Sequence, residues 1–141
     1  MKPMNLFKNR VEVDEKATKN WYKNASKWGC ECGHCRNFLA LAESRQLPSP
    51  LLEVLSLLDI PPEKATYVCE LYPSDTGHCY QFSYRIAGRV FDEAAPVQYS
   101  WGMAGCTHEP YPYGAPDFPC PNFDLEFSVV LPWILKQSEN Q

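Results

Sequence analysis

Apolar residues recur at helical spacing in the first sixty residues, and the pattern predicts three helices there. In the first of them, Ala17, Trp21, Ala25 and Trp28 fall on one face, while four lysines fall on the opposite face. Asp14 is a suitable N-cap for this helix, which would run to the glycine after Trp28. The spacing indicates that the two tryptophans pack against a core.

Two further helices are predicted between residues 35 and 60. The second helical pattern begins at Cys35 and ends near Gln46. Ser49 can cap the third helix, and Pro50 occupies its first helical position, where the missing N–H group has no partner to lose. Four leucines form the apolar stripe of this helix, which ends at the two prolines after Ile60.

After residue 64 the period of the apolar residues changes from that of a helix to that of a strand. Apolar and polar residues alternate over residues 65–72, 80–90 and 122–131, and the turn-forming residues 73–77 join the first two segments into a hairpin. Each of these strands is predicted to have one buried face and one solvated face.

These elements together predict an α+β fold in a single domain over residues 1–141, with the N-terminal helices packed on one face of a mostly antiparallel sheet. Val11 and Val13 could add a short edge strand. The segment 92–121 contains six prolines and no sustained periodicity, and it is predicted to be one long loop. A loop of this length is usually functional or is held in place by a specific interaction.

Length and composition support a single globular domain. The chain of 141 residues is 45% hydrophobic and 21% charged, which excludes wholesale disorder and makes a two-domain enzyme implausible. The N-terminus has no apolar run typical of a signal peptide, and the longest apolar stretch, residues 127–135, contains Pro132 and is too short to span a bilayer. The chain is therefore expected to be soluble and cytoplasmic, with no membrane partner.

Charge is distributed unevenly along the chain, whose formal net charge is −4. Residues 1–36 contain eight basic and four acidic residues, whereas the remainder contains five basic and thirteen acidic residues. The basic end could attract an acidic partner, but the acidic remainder makes nucleic-acid binding unlikely. The expected partner is an unidentified protein or small molecule.

The sequence directs attention to a run of cysteines at the start of the second helix. Cys30, Cys32 and Cys35 fall within six residues, and Gly33 permits the tight turn that would aim their sulfurs at one ion. Exposed amides at a helix start also stabilise thiolates. In a reducing cytosol, cysteines of this kind are metal ligands, reactive thiols or core residues rather than disulfides, and zinc is the metal that fits this chemistry.

A closed structural zinc site needs a fourth ligand, and the long loop offers Cys106, His108 and Cys120. The pair Cys106 and His108 is the first choice. A metal that joined the two segments would also hold the Pro-rich loop in place.

The segment Cys32-Gly33-His34-Cys35 is similar to the active-site tetrapeptide of the protein disulfide isomerase family, and residues 36–39 begin a helix as the chain of that family does. The resemblance implies that Cys32 is a nucleophile and Cys35 a resolving thiol in thiol–disulfide exchange. It is limited to this local chemistry, because a thioredoxin-like fold needs a buried strand immediately before the motif and residues 19–29 instead have the pattern of a lysine-striped helix.

Over nearly its whole length the chain resembles a family of small uncharacterised bacterial proteins. The resemblance is carried by segments 32–38, 60–64, 84–88, 113–119 and 131–135. It implies one intact domain and no particular activity.

Three functions remain open at this point. The first is a zinc-stabilised, non-enzymatic binding or interaction domain with Cys30, Cys32 and Cys35 as ligands. The second is a thiol–disulfide oxidoreductase that uses Cys32 and Cys35. The third, a nucleic-acid binder that uses the lysine-striped helix, has the least support.

Overall fold

The computed structural model describes residues 1–92 and 94–137, and it confirms the α+β prediction. Three helices, α1 (Glu15–Asn24), α2 (Gly33–Glu43) and α3 (Ser49–Leu57), accompany a short 3-10 helix (Pro62–Lys64) and one mostly antiparallel sheet. Its strands are β1 (Lys2–Leu6), β2 (Asn9–Val13), β3 (Tyr67–Ser74), β4 (Gly77–Asp92), β5 (Val97–Tyr99), β6 (Gly102–Thr107) and β7 (Asn122–Leu131). Within the described residues, no helix has the length and apolar character needed to cross a membrane.

The long strand β4 organises the sheet, whose order is β1-β2-β4-β7-β6-β5, with β3 also paired to β4. One edge of β4 is shared between two neighbours: its first half pairs with β3 and its last residues pair with β2. The other edge pairs with β7 from His78 opposite Leu131 to Ala87 opposite Asn122. Strand β4 therefore pairs directly with strands from the N-terminal, central and C-terminal parts of the chain.

The core lies between the helices and one face of β4. Alternate side chains of this strand, Tyr80, Phe82, Tyr84 and Ile86, are fully buried. The ring of Phe38 in α2 packs against Phe82 with 4.8 Å between the ring centroids. Burying an aromatic side chain of this size stabilises a fold by roughly 1.5–3 kcal/mol, so the burial of Phe38 helps to hold α2 against the sheet.

Helix α1 is shorter than its sequence pattern predicts. It ends at Asn24, and the following chain is extended, so that the backbone N–H of Trp28 donates a hydrogen bond of 2.9 Å to the carbonyl of Glu63. The tertiary bond and the packing of Trp28 against the core outweigh the local helical periodicity. The segment between α1 and α2 is therefore irregular, and the described residues immediately before the cysteines form no strand.

The N-terminal hairpin confirms a strand at Val11 and Val13, but this strand, β2, lies between β1 and β4 rather than at the sheet edge, and β1 was not predicted. Its turn places Phe7 and Lys8 at φ 48° and 67°, a left-handed conformation that two-residue hairpins usually assign to Asn or Gly. The side-chain amide of Asn9 donates to the carbonyls of Leu6 and Phe7. These hydrogen bonds stabilise the turn although neither of its two central residues is Asn or Gly.

The segment 92–121 differs from the predicted uninterrupted loop, because it contains β5 and β6. Strand β6 is rich in small residues, so it lacks the alternation of apolar and polar residues that predicts a strand. It forms because it pairs with β7, from Met103 opposite Ser128 to Thr107 opposite Asp124. Residues 108–121 return without regular structure, as predicted.

A buried ion pair holds this returning segment against the back of the sheet. The guanidinium of Arg85 donates to a carboxylate oxygen of Asp124 over 2.9 Å and also to the carbonyl of Tyr111. The second carboxylate oxygen of Asp124 accepts from the backbone N–H of Tyr111 at 3.0 Å, and the Tyr111 ring stacks on Tyr67. The loop is thus held by a hydrogen-bonded ion pair in which both side chains are buried.

Replacing Asp124 by alanine would leave the Arg85 guanidinium buried without its counter-ion. We expect the free energy of unfolding in urea to fall by about 3–5 kcal/mol, the cost of breaking a buried pair. The matched control is Asp92→Ala, which removes an ion pair with Arg10 in which both side chains are largely exposed. An equal effect of the two substitutions would contradict a role for the buried pair.

Candidate metal centre

The first turn of α2 positions the cysteine segment. Cys32 is the N-cap residue, and its sulfur accepts a hydrogen bond from the backbone N–H of Cys35 at 3.4 Å. A cysteine here replaces the Ser, Thr, Asp or Asn that usually caps a helix.

The structure brings the three predicted sulfurs together. The Sγ atoms of Cys30, Cys32 and Cys35 all lie within 4.8 Å of one another. Three thiolates bound to a tetrahedral zinc ion are about 3.8 Å apart, given zinc–sulfur bonds of about 2.3 Å. Each pair of sulfurs therefore needs to approach by at most about 1 Å, and the group is close enough to bind a metal.

The three thiols have different environments. Cys30 and Cys32 are exposed, whereas Cys35 is buried. A backbone hydrogen bond from Cys32 lowers the pKa of Cys30, and hydrogen bonds from the Cys35 and Cys32 side chains lower it further. Burial raises the pKa of Cys35 to about 12.

Trp28 places an N–H donor beside the buried thiol. Its indole Nε1 is buried and makes no hydrogen bond of ordinary geometry among the described residues. The same indole opposes the effect of burial by lowering the pKa of Cys35. Buried donors are nearly always paired, so this N–H is suited to a negatively charged sulfur at Cys35.

Buried hydrogen bonds fix the start of α2 to the sheet and to the segment after β7. The hydroxyl of Tyr80 donates to the carbonyl of His34 at 2.8 Å. The side chain of Asn37, which is fully buried, donates to the carbonyl of Pro132 at 3.0 Å and accepts from the N–H of Ile134 at 2.8 Å. The turn that contains the cysteines is therefore attached at three points.

The predicted fourth ligands lie elsewhere in this conformation. Cys106 is buried in β6, opposite Leu125 and within the core. His108 is exposed just after that strand, and Cys120 is exposed before β7. None of these residues belongs to the group of sulfurs within 4.8 Å of one another. Recruitment of Cys106 or His108 as the fourth ligand stays a prediction for the metal-loaded protein.

A second group of potential ligands was missed by the sequence analysis. His34, Glu70 and His78 also place one ligand atom each within 4.8 Å of the others. The only sequence signal was the predicted hairpin, which brings residues 70 and 78 to the same end of two paired strands. Nothing in the spacing connects them to His34, which comes from α2.

A groove of about 490 Å³ adjoins the cysteine segment. Trp21 and Trp28 contribute its aromatic surface, and Gly29, next to Cys30, forms part of its wall. Lys27 and Lys64 lie at the groove, where Lys27 pairs with Glu43 and Lys64 donates to a backbone carbonyl. Its volume falls within the range of small-ligand pockets.

Comparisons of the chain with protein-family models, curated proteins and solved structures found no match. The resemblance to small uncharacterised bacterial proteins stays a prediction, and the interpretation of the site depends on its own geometry. Because irregular chain rather than a buried strand precedes Cys32, the likeness to protein disulfide isomerase is local.

The environments of the thiols predict an order of alkylation in the metal-free protein. At about pH 8, iodoacetamide is expected to modify exposed Cys30 at least about a hundredfold faster than buried Cys35, because a thiol of pKa about 12 is almost entirely protonated there. Peptide mass spectrometry of samples quenched at intervals measures both rates, and the same reaction in concentrated urea is the control. Equal rates in the folded protein would contradict these environments.

Proposed function

We propose that the protein is a zinc-stabilised, non-enzymatic binding domain in which Cys30, Cys32 and Cys35 hold the ion. The observation that supports this most strongly is the convergence of three sulfurs at the first turn of α2, within 4.8 Å of one another. A cytoplasmic location would keep these thiols reduced and available to the metal.

The chemistry of the three donors favours zinc. Thiolates are soft ligands that select zinc and related ions over calcium or magnesium. A bound cation favours the deprotonated form of every thiol that it contacts, so it would offset the burial that keeps Cys35 protonated. The Cys35 thiolate would then give the Trp28 indole an acceptor.

Metal binding would stabilise the fold because it links two parts of the chain. Cys30 lies in the irregular segment between α1 and α2, whereas Cys35 lies inside α2. Joining them through an ion restricts the segment that carries Trp28 and Gly29, which also line the groove. In this proposal the ion orders the groove wall, and the groove receives a small molecule or a segment of a partner protein.

The fourth coordination position is the part of the site from which binding could be regulated. Cys30 and Cys32 are exposed, so the group is open to solvent on their side. Water, His108 or Cys106 after a rearrangement, or a donor atom of the partner could complete the tetrahedron.

Zinc content of the purified protein tests this proposal. We expect about one zinc ion per chain bound through sulfur, and a fall in melting temperature when a chelator removes it. Substituting Cys30 or Cys32 by serine should abolish the sulfur-bound zinc and the effect of the chelator. Cys120→Ser is the matched control, because Cys120 is an exposed thiol outside the group.

The proposal would be overturned by metal-free protein whose melting temperature does not change when zinc or chelator is added. It would also be overturned if Cys30→Ser and Cys120→Ser had the same effect on zinc content.

Thiol–disulfide exchange is the second candidate, supported by the exposed N-cap thiol of Cys32 and the buried thiol of Cys35 one turn later. In this reaction the Cys32 thiolate attacks a substrate disulfide and releases one substrate thiolate. Cys35 then attacks the mixed disulfide and releases the second, so that the substrate gains two electrons and a Cys32–Cys35 disulfide forms. The raised pKa of Cys35 slows its attack on the mixed disulfide.

The two candidates differ in their reaction with a small disulfide substrate and in the effects of two serine substitutions. If exchange is the function, the metal-free protein reduces oxidised glutathione with formation of a Cys32–Cys35 disulfide, and Cys32→Ser abolishes the reaction while Cys30→Ser does not. If zinc binding is the function, as we expect, the zinc-loaded protein is inert and Cys30→Ser impairs metal binding as strongly as Cys32→Ser.

A further inference from the structure

A histidine–glutamate group lies beside the cysteine segment and uses none of its sulfurs. Glu70 comes from β3, His78 from β4 and His34 from α2. We propose that these three side chains form a second metal site, which binds a divalent transition-metal ion such as Zn²⁺ or Fe²⁺. This site goes beyond the zinc-stabilised domain proposed above and does not depend on it.

The distances match those of ligands around one ion. Glu70 Oε2 lies 3.3 Å from His34 Nε2 and 3.4 Å from His78 Nδ1. Ligand atoms bound to tetrahedral zinc at about 2.0–2.1 Å are about 3.3 Å from one another. The two imidazole nitrogens lie within 4.8 Å of each other, so they need to approach by at most about 1.5 Å to share an ion with the carboxylate oxygen.

A strand irregularity brings the carboxylate to the histidines. In the hairpin, Glu70 pairs with Tyr80 and Tyr72 pairs with Cys79, so Leu71 is an extra residue without a partner across the ladder. Glu70 consequently lies diagonal to His78 on the sheet face that α2 covers. The bond from the Tyr80 hydroxyl to the carbonyl of His34 then places the third ligand.

The two imidazole rings approach the same carboxylate, with 5.0 Å between their ring centroids. Two imidazoles and one carboxylate that converge in this way match a common ligand set for divalent transition metals. The geometry of the group therefore supports a shared ion.

The surroundings favour a site with open coordination positions. Trp133 packs against both imidazole rings, at 5.7 Å from His34 and 5.8 Å from His78, and covers one side of the group. The side chains of Glu70 and His78 are 17% and 6% exposed, but that of His34 is 33% exposed, so solvent reaches the group from the helix side. Two imidazoles and one carboxylate leave at least one position for water or a substrate atom.

The donor sets distinguish this site from the cysteine group. Imidazole and carboxylate suit Zn²⁺, Fe²⁺ and Co²⁺, whereas three thiolates favour softer metal ions. Charges on Glu70, Cys35 and Cys32 all act on the hydroxyl of Tyr80, which burial brings to a pKa of about 12. Tyr80 therefore lies close to both groups, and α2 supplies ligands to each.

Cobalt(II) titration of the full chain with Cys30→Ser, Cys32→Ser and Cys35→Ala tests the second site alone. Serine preserves an N-cap oxygen at position 32, and alanine suits the buried helical position 35. We expect this variant to bind one equivalent of Co²⁺ with no thiolate-to-cobalt charge-transfer band. In the unmutated chain that band reports on the cysteines only, so failure of one site is distinguishable from failure of the other.

Substitutions in the same background identify the ligands. His34→Ala and Glu70→Gln should each weaken Co²⁺ binding by at least about tenfold, since even outer-shell changes cost that much. His108→Ala is the matched control, because His108 is the third histidine of the chain and lies outside the group. Circular dichroism verifies that each variant is folded.

A second measurement needs no histidine substitution, because replacing buried His78 can unfold the chain. With ¹⁵N-labelled histidine in the cysteine-substituted chain, addition of Zn²⁺ should shift the ring-nitrogen signals of His34 and His78 and leave those of His108 in place. Absence of Co²⁺ or Zn²⁺ binding, unchanged His34 and His78 signals, or equal sensitivity to His108→Ala would overturn the proposal and leave the group as an ion pair.

Discussion

The attachment of the first turn of α2 to the sheet is the constraint on which the chemistry of this protein depends. Asn37 is fully buried and hydrogen-bonds in both directions to the chain after β7, while Tyr80 holds the carbonyl of His34 from β4. A buried amide that loses such partners costs about 1–3 kcal/mol, so the position of the turn is strongly specified. Both ligand groups found among the described residues are arranged around this attachment.

Two groups with different donor atoms result from one turn. Cys32 and Cys35 direct sulfur towards the irregular segment after α1, and His34, between them, directs its ring towards β3 and β4. The groove lined by Trp28 lies next to the sulfur group and gives the arrangement a place for a partner.

The sequence was sufficient for the elements whose local pattern and tertiary role agree. The amphipathic helices, the β3–β4 hairpin and the convergence of three closely spaced cysteines follow from periodicity and spacing. Strand β1 escaped prediction because Phe7 and Lys8 are unusual in a two-residue turn, and β6 because its ladder comes from β7 rather than from its own residues. The histidine–glutamate group could not be foreseen, since it requires the bulge at Leu71 and the docking of α2.

The most direct test of the central claim is X-ray absorption at the zinc edge of the full chain loaded with one equivalent of Zn²⁺. The account predicts a first shell in which at least three of the four ligand atoms are sulfur at about 2.3 Å, with a lighter fourth atom unless Cys106 is recruited. A first shell of nitrogen and oxygen without sulfur would contradict it, because the three cysteines would then not form the preferred metal centre.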